Sequence, residues 1–166
     1  ASGSASIEFT SGIDSTYPIY KFEFINIHPA TDNAKFKFNL STDSGSNYNV
    51  TKTTTFFRAN HSSANVTYNI SNDLSQGTGD QTIINGISSD NDHSGSGTMF
   101  LYNPSSTTFV KHFFSNTNRF EDTNNSLNDF MAGYGNTISA IDAIKFLFSS
   151  GNIDSGTIKL YGIGEW

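Results

Sequence analysis

The chain has no cysteine, two methionines, three prolines and only 14% charged residues among its 166. Each scarcity closes a class of explanation. Without cysteine there is neither a disulfide framework nor a thiolate-ligated zinc site, so stability has to come from packing, helped by association. No run approaches the roughly 18 to 20 apolar residues of a membrane-spanning helix, and the N-terminal residues do not read as a charged and apolar signal peptide. The chain is therefore expected to be soluble and without a membrane partner. Lys and Arg number nine against 15 Asp and Glu, for a net charge of −6 and a pI near 4.9. The nine cations are scattered singly, so no basic stripe exists to neutralise phosphates, and nucleic acid is not an expected partner.

What the chain does contain is small polar residues and aromatics. Ser, Thr and Asn number 24, 18 and 19, beside 15 Phe, 7 Tyr and 1 Trp. Disordered chains are poor in aromatics, so this composition folds, and aromatics with Ile and Thr favour pleated, half-buried surfaces. The length is that of one domain. The expected division is a flexible lead-in over residues 1–6, one domain over 7–163 and a short tail over 164–166.

Alternation with period two recurs throughout. Ala5, Ile7 and Phe9 open it. Tyr20, Phe22 and Phe24 share one face of the next segment, while Lys21, Glu23, Ile25 and Ile27 share the other, which turns apolar and so predicts burial on both sides at the far end. Phe36, Phe38 and Leu40 point inward against Lys35, Lys37 and Asn39 outward. A threonine-rich stretch from Tyr48 to Ala59 reads as a long, partly exposed strand. Residues 60–79 read mostly as loop, with a short strand at Val66–Ile70, and Gln81–Ile87 is a strand. A polar loop over Ser88–Gly97 precedes a strand at Thr98–Tyr102, a turn at Asn103–Ser106 and a strand over Thr107–Asn116, followed by a second polar loop over Asn116–Asn128. Phe130, Ala132 and Tyr134 alternate again. The stretch Ile144–Ile163 holds two alternating runs around a polar, glycine-bearing connection and reads as a hairpin, with Phe146, Phe148, Ile158 and Leu160 in the core. No long 3.6-residue period and no internal repeat occurs, so the fold class is an all-β antiparallel sandwich, jelly-roll-like.

Candidate chemistry is sparse. His28, His61, His93 and His112 never fall at ligand spacing, and structural roles are their simplest reading. Asp90, Asp92 and His93 in DNDH, and Asp43 with Asn47, resemble the oxygen clusters that calcium takes, but the acidic partner of a calcium loop is missing and turn formation explains them as well. Glycosidase chemistry needs two carboxylates across a cleft, and the four glutamates, Glu8, Glu23, Glu121 and Glu165, show no common cleft face. No nucleophile elbow, phosphate loop or zinc-protease helix is present. The chain is not expected to be an enzyme, and no cofactor is implied. Tyr48, Tyr68, Phe120, Tyr134 and Trp166 lie in or near loops and are the candidate ligand or interface aromatics, with Asp90, Asp92 and His93 beside them. Asn-X-Ser/Thr sequons are no more frequent than this composition produces by chance.

Several segments together carry a resemblance. FTSGIDSTY at Phe9–Tyr17, NIHPATD at Asn26–Asp32, STDSGSNYN at Ser41–Asn49, LYNPSSTTFVKHF at Leu101–Phe113 and SSGNIDSGTIKLYGI at Ser149–Ile163 resemble tailed-bacteriophage structural proteins of marine and environmental phages. The resemblance implies a non-enzymatic component of the virion exterior, either a capsid decoration protein or a head- or tail-fibre module. Its implied partners are other virion proteins and copies of itself, a homotrimer suiting fibre axes and local threefolds. Low charge, dense hydroxyls and few oxidisable groups suit such a surface. The alternative is a receptor- or carbohydrate-binding module that contacts the host surface.

Overall fold

A computed structural model of the chain describes residues 2–61, 66–121 and 125–164, with Thr67, Asn69, Ile70 and Glu121 described by backbone alone. The described residues form eleven antiparallel strands and no helix. They are β1 (Ser6–Phe9), β2 (Ile19–Pro29), β3 (Ala34–Ser41), β4 (Lys52–His61), β5 (Val66–Ile70), β6 (Gln81–Ile87), β7 (Gly95–Tyr102), β8 (Lys111–Glu121), β9 (Asn125–Gly135), β10 (Ala143–Phe148) and β11 (Ile153–Ile163). A four-stranded sheet has the order β1-β10-β3-β6, and a seven-stranded sheet the order β11-β2-β7-β8-β9-β4-β5. Setting aside the β7–β8 hairpin and the edge strand β11 leaves β1-β10-β3-β6 facing β2-β9-β4-β5. In that core every connection but β4–β5 crosses between sheets, which is jelly-roll connectivity. The β7–β8 hairpin widens the second sheet where β2 and β9 would otherwise meet.

The alternating apolar residues meet between the sheets. Phe146 of β10 sits with its ring centroid 5.2 Å from Phe22, 5.3 Å from Phe24, 5.9 Å from Phe36 and 6.2 Å from Phe9, mostly edge to face. Phe38 meets Phe113 at 5.1 Å nearer the other end. Ile158 and Leu160 are partly buried against this core, and Phe148 lies fully within it. The interior also holds two lysines. Lys52 and Lys111 flank Gly135 in register from either side, both without exposed surface. The Lys52 ammonium donates to Val50 O at 2.7 Å and to the Asn39 side chain, and burial lowers its pKa from 10.5 to about 8 against the opposing pull of Asp80. Lys111 donates to Phe109 O at 2.9 Å and Thr137 O at 3.2 Å, and burial lowers its pKa too.

Several sequence readings need correction. β10 and β11 are not a hairpin: β10 pairs with β1 and β3, whereas β11 pairs with β2 in the other sheet. The connection crosses the sandwich edge, held by Ser149 N on Lys35 O at 2.9 Å and Ala30 N on Asn152 O at 3.0 Å. The segment read as loop over Asn116–Asn128 is mostly strand, the ends of β8 and β9. β8 begins only at Lys111, leaving Phe109 in a loop, 68% exposed, while β7 begins early, at Gly95. Ile25 keeps the outward phase of Lys21 and Glu23 and is exposed, whereas a bulge at Asn26, with a positive φ of 50°, shifts the inward phase to Ile27. Burial on both sides therefore starts only at Ile27. Asn39, expected to face outward, is buried, donating to Thr78 O and Asp80 Oδ1 at 3.0 Å and accepting from the buried Lys52 ammonium. Within the expected lead-in, Ser4 bridges Ile153 through two backbone bonds of 3.2 and 2.7 Å. The short strand at Val66–Ile70 forms as read.

Candidate functional site

The seven-stranded sheet turns one face to the core and the other to solvent, and in a strand that choice alternates residue by residue. β8 alternates without fault from buried Lys111 to exposed Phe120. The outward positions are therefore the even residues of β7, β8 and β9 and the odd residues of β4. None of them carries Lys, Arg, Asp or Glu. They hold aromatics, hydroxyls, amides, small residues and two histidines. Register places them in rows: Phe100, Phe114, Ala132 and Thr55 lie side by side across four strands, and Asn116, Phe130 and Phe57 form the adjacent row.

The rings in these rows stand parallel. Phe100 and Phe114 stack at 5.1 Å with 21° between planes, Tyr102 joins them at 6.0 to 6.3 Å, and Phe57 stacks on Phe130 at 4.7 Å and 13°. A centroid separation close to the spacing between strands, with planes nearly parallel, means the rings stand on edge and turn their faces along the row. The far face of Phe114 therefore opens over Ala132. There the side chain is a single methyl group and the sheet surface drops into two adjoining hollows of about 370 and 290 Å³. Both are lined by Thr55, Phe114 and Ala132; the first extends to His112, Tyr134, Tyr102 and Thr53, the second to Phe57 and Phe130. His112 and Tyr134 lie 6.2 Å apart at one end. Burial raises the pKa of the Tyr102 phenol, so it stays a neutral hydroxyl donor. Polar neighbours fix the rim: Gln76 Nε2 donates to Thr53 Oγ1 at 2.6 Å and to the Tyr134 hydroxyl at 3.4 Å, and Asn136 Nδ2 donates to Gln76 Oε1 at 2.8 Å.

The sequence candidates scatter. Tyr134 lines the hollow. Phe120 lies on the same face at its far end, edge-on to His93 at 4.6 Å, and Tyr68 stands on the edge strand β5 opposite Ala59, 76% exposed. Tyr48 is on the other side of the molecule, its hydroxyl donating to Glu8 Oε2 at 3.2 Å under the Lys145 ammonium at 4.7 Å from the ring centre. Asp92 Oδ1 lies 3.7 Å from His93 Nε2, and among the described residues no third ligating group joins them. The Asp90 carbonyl accepts from His93 N at 2.9 Å and faces His28 Nε2 at 3.1 Å, Asp92 reaches outward, and His93 is buried. Asp43 closes its own turn, accepting from Ser41 Oγ at 2.7 Å and from Asn47 N and Nδ2 at 2.8 and 2.7 Å. Among the described residues no three His, Asp or Glu gather around a common point. Trp166 and Glu165 lie outside the described residues. Glu8 and Glu23 belong to different sheets, Glu23 paired with Lys21 at 2.7 Å, so these two carboxylates share no cleft.

The residues that build the hollow were missed apart from Tyr134. A signal existed in the doublets Phe56-Phe57 and Phe113-Phe114: adjacent residues of a strand face opposite ways, so one ring of each pair has to point outward. Comparison with protein-family models, with curated proteins and with solved structures returns no match.

Proposed function

We propose that the protein is a non-enzymatic structural module of a tailed-bacteriophage exterior, a capsid decoration protein or a head- or tail-fibre module, that meets its partner through the outer face of β7, β8, β9 and β4. The supporting observation is the absence of charge from that face together with its ring stacks. The centres of protein interfaces are depleted in charge and enriched in aromatics, and contiguous exposed apolar surface marks interaction sites. The phage setting rests on the segment resemblance, and so does assembly as a homo-oligomer, with a trimer favoured. Gold-labelled antibody against the folded domain tests the setting on intact particles of the encoding virus. Label on head lattice positions or fibres is expected; particles that carry none overturn it. A Phe114→Lys variant, which plants a cation in the face, is expected to lose incorporation while still folding.

The second reading, a host-surface receptor- or carbohydrate-binding module, is favoured by the hollow itself. A lattice or fibre contact needs only a flat or self-complementary patch, whereas a depression of several hundred Å³ walled by aromatics is the size and lining of a ligand site. Label confined to tail tips would select this reading.

A further inference from the structure

We infer that the hollow over Ala132 binds an uncharged oligosaccharide, with one pyranose ring set against the exposed face of Phe114 and its hydroxyls held by His112, Thr55 and the Tyr134 hydroxyl. The inference rests on the second reading, a receptor- or carbohydrate-binding module working through this face, and adds its ligand class. Shape is the first argument. Ala132 is enclosed along its own strand by Phe130 and Tyr134, across the sheet by Phe114 and Thr55, and on the diagonals by His112 and Phe57. The result is a shallow, solvent-open depression with one flat aromatic side, able to seat a sugar ring.

Chemistry is the second argument. C–H groups polarised by neighbouring oxygens are attracted to the negative face of an aromatic ring, and a pyranose presents several on one side. The same sugar turns hydroxyls outward, and groups that both donate and accept are what His, Thr and Tyr supply around the rim. Charge is the third. No cation stands among the outward positions of these four strands, so a uronate, sialate, sulfate or phosphate would enter without a charged partner, against a net charge of −6. Single-stranded nucleic acid also uses aromatic platforms, but on a basic groove, and this groove has none. The lining thus selects against anionic ligands and leaves neutral sugars.

The test uses the full 166-residue chain on a printed array of neutral and acidic oligosaccharides, followed by titration with the best neutral ligand. Wild type is expected to bind neutral glycans only. Ala132→Trp fills the hollow from an exposed position and is expected to weaken binding at least tenfold, and Phe114→Ala, which removes the stacking face, about tenfold. Tyr68→Ala, on the same face but outside the hollow, is expected to leave binding within about twofold. Matching melting curves confirm that each variant is folded. A blank array, binding only to acidic glycans, or neutral binding untouched by Ala132→Trp overturns the inference. Light scattering separates it from the broader reading. A blank array with an oligomer that Ala132→Trp dissociates would make the face a contact between copies, keeping the face as working surface and discarding the sugar. If Ala132→Trp alters neither glycan binding, self-association nor particle incorporation, both readings fall.

Discussion

The two outer faces of this sandwich enclose one shared core and differ most in charge. The four-stranded sheet shows Glu8, Lys35, Lys37 and Lys145 to solvent, with Tyr48 held between the Glu8 carboxylate and the Lys145 ammonium. The centre of the seven-stranded sheet shows none and carries stacked Phe rings instead. Charges remain on its flank, where Lys21, Glu23 and Lys159 lie on β2 and β11. Folding alone makes no demand for such a division, because either outer face can be hydrated by any polar residue. An uncharged, aromatic, hollowed patch framed by ordinary charged surface is better explained by what it touches.

The comparison can be broken first from the inside. Phe146→Ala removes the ring that touches four others beneath both faces and is expected to cost about 3–5 kcal/mol of unfolding free energy in urea titrations. Phe114→Ala, on the outside, is expected to cost under about 1 kcal/mol, since its ring is already 39% exposed. A similar loss in both would mean the outer rings are structural. Next in size is the buried lysine. The Lys52 pKa of about 8 lies below the unfolded value of 10.5, so at neutral pH the folded state carries a desolvation penalty that is relieved as pH rises through this window. Stability relative to Lys52→Met should increase by about 2 kcal/mol between pH 8 and pH 10.

The charged face itself offers the smaller tests. The Tyr48 phenol, raised to about 12 by burial and then by the Glu8 charge, should give a phenolate absorbance step near pH 12 that is absent from Tyr48→Phe. Lys145→Gln, which removes the cation over that ring, should change stability by no more than about 1 kcal/mol.

The alternation of Phe36, Phe38 and Leu40 and of Tyr20, Phe22 and Phe24 made the core strands readable in advance, because those strands bury one face and wet the other. β6 was found with its observed bounds. The far ends of β8 and β9 were not, because there both faces are largely polar: Thr117, Arg119 and Asp129 are buried inward around a single apolar residue, Leu127, while Asn116, Asn118 and Asn128 face outward. No hydrophobic period survives in such a stretch. The supposed hairpin at Ile144–Ile163 failed for another reason. Alternation identifies strands but says nothing about which sheet each joins, and a short glycine-bearing link serves a crossover as well as a tight turn. The hollow was harder still to read. It is made by register, which sets Ala132 beside Phe114, and pairing between strands far apart in sequence is invisible in a single chain.

The most direct test of the working face is a pair of plugs, one on each side of the sandwich. Ala132→Trp fills the uncharged face, and Leu147→Trp places the same side chain at an outward position of β10 on the charged face. Titrated with the same neutral oligosaccharide, Ala132→Trp should bind at least tenfold more weakly than wild type while Leu147→Trp binds as wild type does. Loss of binding in Leu147→Trp with retention in Ala132→Trp would place the working surface on the opposite sheet and contradict the account.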